Sequence, residues 1–346
     1  MPAEDLHAVT AAFRLGAVHT QRFLPEGLIS LNWQLTADRG VFALKQIKDA
    51  PLPLARRNLR AVTALAAVGL PALQPLETVT GDIVAESGSR GYCLSWWITG
   101  QHLHGTDLSP AQARDVGTVL GHLHQGLNQA SMQTWLPGSD TDAAATVPHP
   151  GQAVATADQF LAQITSLPKP RPWDLAIAET LRRRKELLRT HAHQHPRGGH
   201  PSGPSGWTHG DFHALNLIWN HDQVTGIVDW NRIAVRPLSE EVVRSASLLF
   251  SYHNGEIDLD RVAAFTAGYE AVIPLHDADL TDAANRRWWK LMCDYRYLDL
   301  HYTQGDTSCD RLIEPAARLL EWWTRHLHEV RAAFTTRARL RSAIAR

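Results

Sequence analysis

His209-Gly210-Asp211-Phe212-His213-Ala214-Leu215-Asn216, followed after one hairpin by Ile227-Val228-Asp229-Trp230, is the densest polar constellation in the chain. Leu215–Trp219 and Gly226–Trp230 are short apolar runs separated by Asn220-His221-Asp222, a pattern that predicts two strands joined by a turn. An aspartate ahead of the first strand, an asparagine five positions later and a second aspartate after the hairpin then converge on one small volume. That geometry suits phosphoryl transfer: Asp211 orients or deprotonates a hydroxyl, while Asn216 and Asp229 offer hard oxygen ligands to Mg²⁺. A metal at Asp229 would also offset the cost of burying its charge between Val228 and Trp230. Each residue alone reads more simply, Asp211 as a turn residue, Asn216 as a strand polar group and Asp229 as a cap.

Upstream of this constellation the chain changes character near Gly100. Before it, Trp33–Leu35 and Val41–Ile47 flank a polar turn, and Ile83–Ala85 and Tyr92–Trp96 flank another, predicting two antiparallel hairpins. Between them Leu52–Val68 carries Leu59, Val62, Leu65 and Ala66 at helical spacing, up to the stop signal Gly69-Leu70-Pro71. After Gly100, Pro110–Asn128, Ala155–Leu167 and Pro172–His191 have helical periodicity, as do Glu240–Phe250, Leu259–Tyr269, Thr281–Tyr302 and Asp310–Arg337. Ser131–Gln152 and Pro196–Gly206 read as surface loops.

Composition narrows the class. The 346 residues are 44% hydrophobic and 20% charged, enough for two lobes with cores, and 34 Lys plus Arg against 35 Asp plus Glu leave a formal charge of -1. No global basic field calls for nucleic acid or an anionic membrane as partner. No apolar stretch approaches a bilayer span, and Met1-Pro2-Ala3-Glu4-Asp5 lacks the character of a secretory signal, so a cytoplasmic location is expected. Cys93, Cys293 and Cys309 are too scattered for a disulfide framework and read as buried thiols.

Lys45, on a strand whose predecessor begins after Glu26-Gly27-Leu28-Ile29-Ser30-Leu31-Asn32, can set a fixed positive charge on nucleotide phosphates. That loop holds one glycine, so its phosphate contacts would come from backbone amides at Ser30 to Asn32. Alone, Lys45 reads as a snorkelling side chain.

In order, the loop ending in Asn32, Lys45, the helix ending Ala66-Ala67-Val68-Gly69-Leu70-Pro71, Cys93–Gly100, Leu120-Gly121-His122-Leu123-His124, His209-Gly210-Asp211 with Asn216, and Ile227-Val228-Asp229-Trp230 resemble the aminoglycoside phosphotransferase family. The last two motifs are the specific ones, and the likeness runs over most of the chain. It implies an α+β protein-kinase-like fold, with a nucleotide-binding lobe of antiparallel sheet plus one helix over residues 1–97 and a mostly helical lobe over 98–346. It also implies a catalytic loop at 207–219, a metal segment at 226–232, ATP or GTP with Mg²⁺, and transfer to a hydroxyl of a small molecule. By this resemblance Asp211 is the base, His209 organises the loop, Asn216 and Asp229 hold the metal, and Lys45 grips phosphate with Ser30 and Asn32 nearby. Backbone groups of Trp96 and Ile98 would meet the nucleotide base.

Two positions depart from the family pattern. The strand lysine is usually paired with a glutamate on the next helix, yet Leu52–Val68 contains no acid. Glu26 or Glu77 could take that part, Asn58 could serve as the acceptor, or nucleotide binding could be altered or lost. The family's downstream Asp after a Pro is replaced by Glu240 and Glu241 beyond Pro237, one of which is expected to brace the catalytic loop.

Acceptor contacts are sought at Asn231 and Arg232, then at Asp294, Tyr295, Tyr297, Asp299, His301 and Tyr302 on the predicted Thr281–Tyr302 helix. On such a helix Asp294 and Asp299 diverge by about 140°, so one of the two faces inward. Acidic contacts favour an amine and Arg232 or Arg296 a carboxylate. His191, His193 and His195 alternate at the end of a helical segment, where neighbours two apart point away from each other and suit packing better than zinc. Two other functions fit the same fold: a binding protein without catalysis, and a kinase of protein Ser/Thr.

Overall fold

Strand alternation in the N-terminal region is satisfied by a five-stranded antiparallel sheet. The computed structural model describes residues 1–25, 30–48, 50–138, 147–196 and 201–335. Helix α1 (Ala3–Phe13) and strand β1 (Val18–Leu24) precede β2 (Leu31–Ala37), β3 (Gly40–Ile47), helix α2 (Leu52–Ala67), β4 (Ala85–Ser87) and β5 (Arg90–Trp96). The sheet order is β1-β2-β3-β5-β4. Phe42 and Leu44 of β3 point to one face and pack with Val9 and Phe13 of α1 and with Trp33, Leu35, Tyr92 and Leu94. Each such buried apolar side chain contributes about 2 kcal/mol. Period-two alternation sends Lys45 to the opposite face.

Neither α1 nor β1 is among the elements expected from the sequence. In α1, Val9 and Phe13 are four apart and buried, a short signal. In β1, Thr20 to Phe23 are all exposed, so this edge strand shows no alternation to read. Asp5 of α1 is fully buried, and its Oδ2 accepts from Tyr92 Oη at 2.8 Å and Arg90 Nη1 at 2.6 Å.

Helices α3 (Pro110–Leu127), α4 (Pro150–Thr165) and α5 (Pro172–Thr190) follow, then β6 (Ser205–Thr208), the hairpin β7 (Leu217–Asn220) and β8 (Gln223–Ile227), and β9 (Ala234–Pro237). Helices α6 (Leu238–Leu249), α7 (Leu259–Glu270), α8 (Asp277–Cys293), the short α9 (Arg296–Leu298), α10 (Ile313–Arg325) and α11 (Leu327–Ala333) complete the described chain. Strands β6 and β9 form a two-stranded sheet that the sequence reading lacks. The loop expected at Ser131–Gln152 holds a 3₁₀ turn at Ala130–Thr134 and the start of α4, and its residues 139–146 lie outside the described residues. Among the described residues no helix is long and apolar enough to cross a membrane.

Two compact units emerge, neither contiguous in sequence. The first takes Met1–His104, Thr118–Asp140 and Gly206–Val235, and the second Gly105–Gly117, Thr141–Ser205 and Arg236–Arg346. The sheet, α2 and the hairpin with both of its flanking loops thus belong to one unit.

Two expected helices are interrupted. The predicted Thr281–Tyr302 helix ends at Cys293, because Asp294 is extended (φ -85°, ψ 109°), and resumes as α9 and a π-helical turn at Asp299–Thr303. The predicted Asp310–Arg337 helix is a 3₁₀ turn, α10 and α11, broken at His326, whose ring stacks on Trp322. Cys93 is buried as expected, whereas Cys293 and Cys309 are only partly so.

Candidate active site

The loop carrying Asp211 is held from both sides by hydrogen bonds to backbone groups. Trp207 N donates to Asn128 Oδ1 (2.8 Å), and Asn128 Nδ2 donates to Trp207 O (2.9 Å), anchoring the strand that enters the loop. Gly210 turns the chain at φ 81°, in the left-handed region that glycine adopts without steric cost. His209 is fully buried: its Nδ1 accepts from Asp211 N at 3.2 Å, and Nε2 lies 3.1 Å from Val228 O. That pair of bonds requires the proton on Nε2. His209 therefore joins the loop carrying Asp211 to the segment carrying Asp229.

Around Asp211, Arg232 Nη1 lies 3.8 Å from Oδ1 and His213 Nε2 3.7 Å from Oδ2. Asn216 is buried, and its Nδ2 donates to the Asp211 carbonyl at 2.8 Å. Val228 N donates to Asn216 O at 3.0 Å, which sets the residue before Asp229 beside Asn216.

The strands here are displaced from their predicted positions. Leu215 and Asn216 lie in a 3₁₀ turn (Ala214–Asn216), the hairpin turn is only His221-Asp222, and Val228 to Trp230 have left β8. The departure is sharp because Asp229 is left-handed (φ 64°, ψ 64°). For a residue with a Cβ that costs about 1–2 kcal/mol and persists only where the surroundings over-determine it.

Those surroundings are specific. Lys45 Nζ donates to Asp229 Oδ1 at 2.7 Å, and Asn231 Nδ2 donates to the same oxygen at 3.0 Å. Lys45 thus pairs with the candidate metal ligand instead of with an acid on α2. Asn58 is not its acceptor: Asn58 Oδ1 takes Arg57 Nε (3.0 Å) and Nη2 (2.7 Å). Glu26 lies outside the described residues.

Asn216 and Asp229 fit a small divalent cation. With Nδ2 bonded to the loop, Asn216 retains Oδ1, and Asp229 retains Oδ2. Among the described residues there is no cluster of three or more His, Cys, Asp or Glu arranged for a metal. Two hard side-chain oxygens, completed by phosphate and water, are how Mg²⁺-type ions are usually held.

The nucleotide candidates lie on the same unit. Asn32 is the cross-strand partner of Lys45, and its Nδ2 is 3.5 Å from Ser30 O. Ser30 is buried. Trp96 ends β5 with its ring stacked on Phe42 (4.6 Å between centroids), and the Trp97 amide donates to Val41 O. Ile98 Cδ1 would lie 3.3 Å from a Cβ at Gly226. At Gly100 a Cβ would meet Trp219 O at 2.5 Å, so only glycine lets this strand exit approach the hairpin.

Asp294, Tyr295 and Asp299 belong to the second unit, and all three lie beyond the break after Cys293. Tyr295, Arg296 and Asp299 line a cavity of about 560 Å³ together with Gln152, Gln159 and Thr156. Tyr295 Oη is spent on Ala153 O at 2.9 Å, and burial pushes its phenol up to about 12. Asp294 is not in that lining; its Oδ1 accepts from Arg296 N. In the same unit Glu240 Oε2 accepts from Lys290 at 2.7 Å, while His191 and His195 pack edge-on against Trp288 and Trp289.

Four residues with evident parts in this architecture escaped the sequence reading: Arg57, Asn128, His102, whose Nδ1 is 2.8 Å from Leu217 O, and Asn58 as a donor. Their partners are 79 to 176 residues away, and each is a common polar residue at an unremarkable helix or loop position. No local signal could have marked them.

The sequence profile of the phosphotransferase enzyme family, APH, matches residues 20–275. The homoserine kinase of Methylobacterium radiotolerans is 23% identical over 283 residues, covering 78% of this chain and 77% of that protein. That of Pseudomonas aeruginosa is 22% identical over 271 residues, covering 76% and 75%. In three dimensions the chain is similar to spectinomycin phosphotransferase, APH(9)-Ia, in complex with ADP and spectinomycin: TM-score 0.66, 15% identity, 93% of this chain and 94% of that one. It is also similar to amicoumacin kinase hAmiN with AMP-PNP and Ca²⁺: TM-score 0.61, 15% identity, 93% and 92% covered. With a matching profile over most of its length and the family's protein-kinase-like fold, the chain belongs to the phosphotransferase enzyme family and is a kinase of the small-molecule class.

Proposed function

We propose that this phosphotransferase transfers the terminal phosphoryl group of ATP or GTP, with Mg²⁺, to a hydroxyl of a small amine-bearing molecule. The observation that carries the reading is the convergence within one compact unit of Asp211, Asn216, Asp229 and Lys45, joined by direct bonds or through a single backbone link. In this reading residues 1–97 form the nucleotide-binding lobe, with Ser30, Asn32, Lys45, Trp96 and Ile98 as contacts, and 98–346 the remainder.

Asp211 orients the acceptor hydroxyl and takes its proton late in transfer, its carboxylate set by the His209 bond to its own amide. Arg232 and His213 flank that carboxylate and limit its rotation. Lys45 supplies a fixed positive charge to phosphate oxygens. Asn216 Oδ1 and the Asp229 carboxylate would hold the divalent cation, which would supply positive charge against the charge that develops on the transferred phosphoryl group.

For the acceptor, Arg232 stands beside Asp211 in the first unit, Nη1 3.8 Å from its Oδ1, and with Asn231 forms the proposed acceptor contacts. Its guanidinium suits an acceptor that carries a carboxylate, in keeping with relatives named homoserine kinases. A larger aminosugar-type acceptor is the second reading, supported by structural neighbours bound to antibiotics. A panel of L-homoserine, choline, spectinomycin, gentamicin and a peptide mixture, with labelled ATP or GTP, tests both. Label only in peptide, or in no acceptor, overturns the proposal.

A further inference from the structure

Helix α2 lacks the acid that a kinase-like lobe aims at its strand lysine, yet the equivalent reach is made by other groups. Asn58 is 1% exposed. Its Nδ2 donates to Trp230 O at 2.9 Å and to Asn231 O at 3.3 Å, while its Oδ1 takes both Arg57 bonds. The whole hydrogen-bonding capacity of the amide, two donors and two lone pairs, is used. Arg57 Nη2 also donates to Ile233 O at 3.0 Å, and its guanidinium lies 4.9 Å from the Trp207 ring centroid. Two consecutive residues of α2 therefore hold three carbonyls of the turn that begins at the left-handed Asp229. A carboxylate at position 58 would face two carbonyl oxygens and repel them. The absence of an acid on α2 and the pairing of Lys45 with Asp229 are then two sides of one rearrangement.

We propose that Asn58, braced by Arg57, is a positioning residue for the metal-binding segment: in this protein α2 is coupled to the turn after Asp229 rather than to the strand lysine. The inference rests on the reading that Asp229 holds the divalent cation. Partners that orient a metal ligand without touching the metal typically control roughly ten- to hundredfold in affinity.

The test uses the full chain and Mn²⁺ as probe, titrated by electron paramagnetic resonance with ADP present, alongside calorimetry of ADP without metal. Asn58→Asp is expected to weaken Mn²⁺ binding by about tenfold or more while metal-free ADP affinity stays within about twofold. A general loss of structure would lower both together with the melting temperature. If Asn58→Asp does not fold, Arg57→Lys decides, with a smaller loss of Mn²⁺ affinity of about threefold. A folded Asn58→Asp, or failing that Arg57→Lys, with the parent's Mn²⁺ affinity overturns the inference. Asp229→Asn separates the two layers: unchanged Mn²⁺ binding there defeats the site reading itself, and the inference with it.

Discussion

The segment His209–Ile233 and the segment Asp294–Thr303 both carry many chemistry-bearing side chains, but they are held in different ways. In the first, many ties are short: Asn216 to the Asp211 carbonyl, Asp211 N to His209, Asn231 to Asp229, Val228 N to Asn216 O. In the second, the main ties run to other helices: Arg184 Nη1 to Asp294 O, Tyr295 Oη to Ala153 O, Gln163 to Tyr302 O, and Tyr302 Oη to Asp174. Local hydrogen bonds let the first segment keep its shape as a motif, with distant ties from Lys45, Arg57 and Asn58 added to it, whereas the second has its shape imposed mainly by distant partners. The first lies within the family match at residues 20–275, and the second, beyond it, breaks the helix expected of it.

Substitutions can sharpen or break this contrast. The largest effect is expected at the locally closed site: Asp211→Asn should cut kcat by about 10²- to 10⁴-fold, with nucleotide affinity by calorimetry nearly unchanged. Undiminished turnover would remove Asp211 from the chemistry. Next, Lys45→Ala should raise the KM for nucleotide by about ten- to hundredfold, the scale of a charge-assisted hydrogen bond. It also frees Asp229 Oδ1 of its lysine, so a steeper dependence on divalent cation should accompany the rise.

For the distantly closed segment the effects should be in stability. The Arg171 hydrogen bonds, with further bonds from the Arg171 amide and Tyr302, outweigh burial and pull the Asp174 carboxyl down to about 2. A depressed folded value stabilises fully above the unfolded value of about 3.9 and is lost as pH falls towards 2. Arg171 is largely exposed, which screens the ion pair, so Asp174→Asn should cost about 1 kcal/mol at pH 7. In chemical denaturation the gap between parent and variant should narrow below about pH 4; a gap that persists at pH 2 would point to packing. The smallest effect is Tyr295→Phe, which removes one hydrogen bond to Ala153 O and should cost about 1 kcal/mol or less in chemical denaturation.

Particular residues mark how far the sequence could be read. The β3 strand, the α2 periodicity and the two motifs around Asp211 and Asp229 were legible because strand alternation, helical spacing and turn residues are local properties. The lack of an acid on α2 was visible too, but its meaning was not. Whether Asn58 serves Lys45 or the carbonyls of Trp230 and Asn231 depends on contacts 172 and 173 residues apart. Likewise Thr281–Tyr302 has unbroken helical spacing, and the extended geometry at Asp294 is met by the buried Arg184, which reaches its carbonyl from 110 residues away.

The sequence by itself determined the antiparallel sheet, the helical remainder, the order of the motifs and the identity of the carboxylates, since these follow from periodicity and residue chemistry within a few turns of chain. Tertiary structure alone decided which donor meets which acceptor: Lys45 with Asp229, Asn58 with the turn beyond it, Tyr302 with Asp174. The physical reason is that a buried polar group must find a partner wherever packing supplies one, and packing joins residues whose separation along the chain carries no signal.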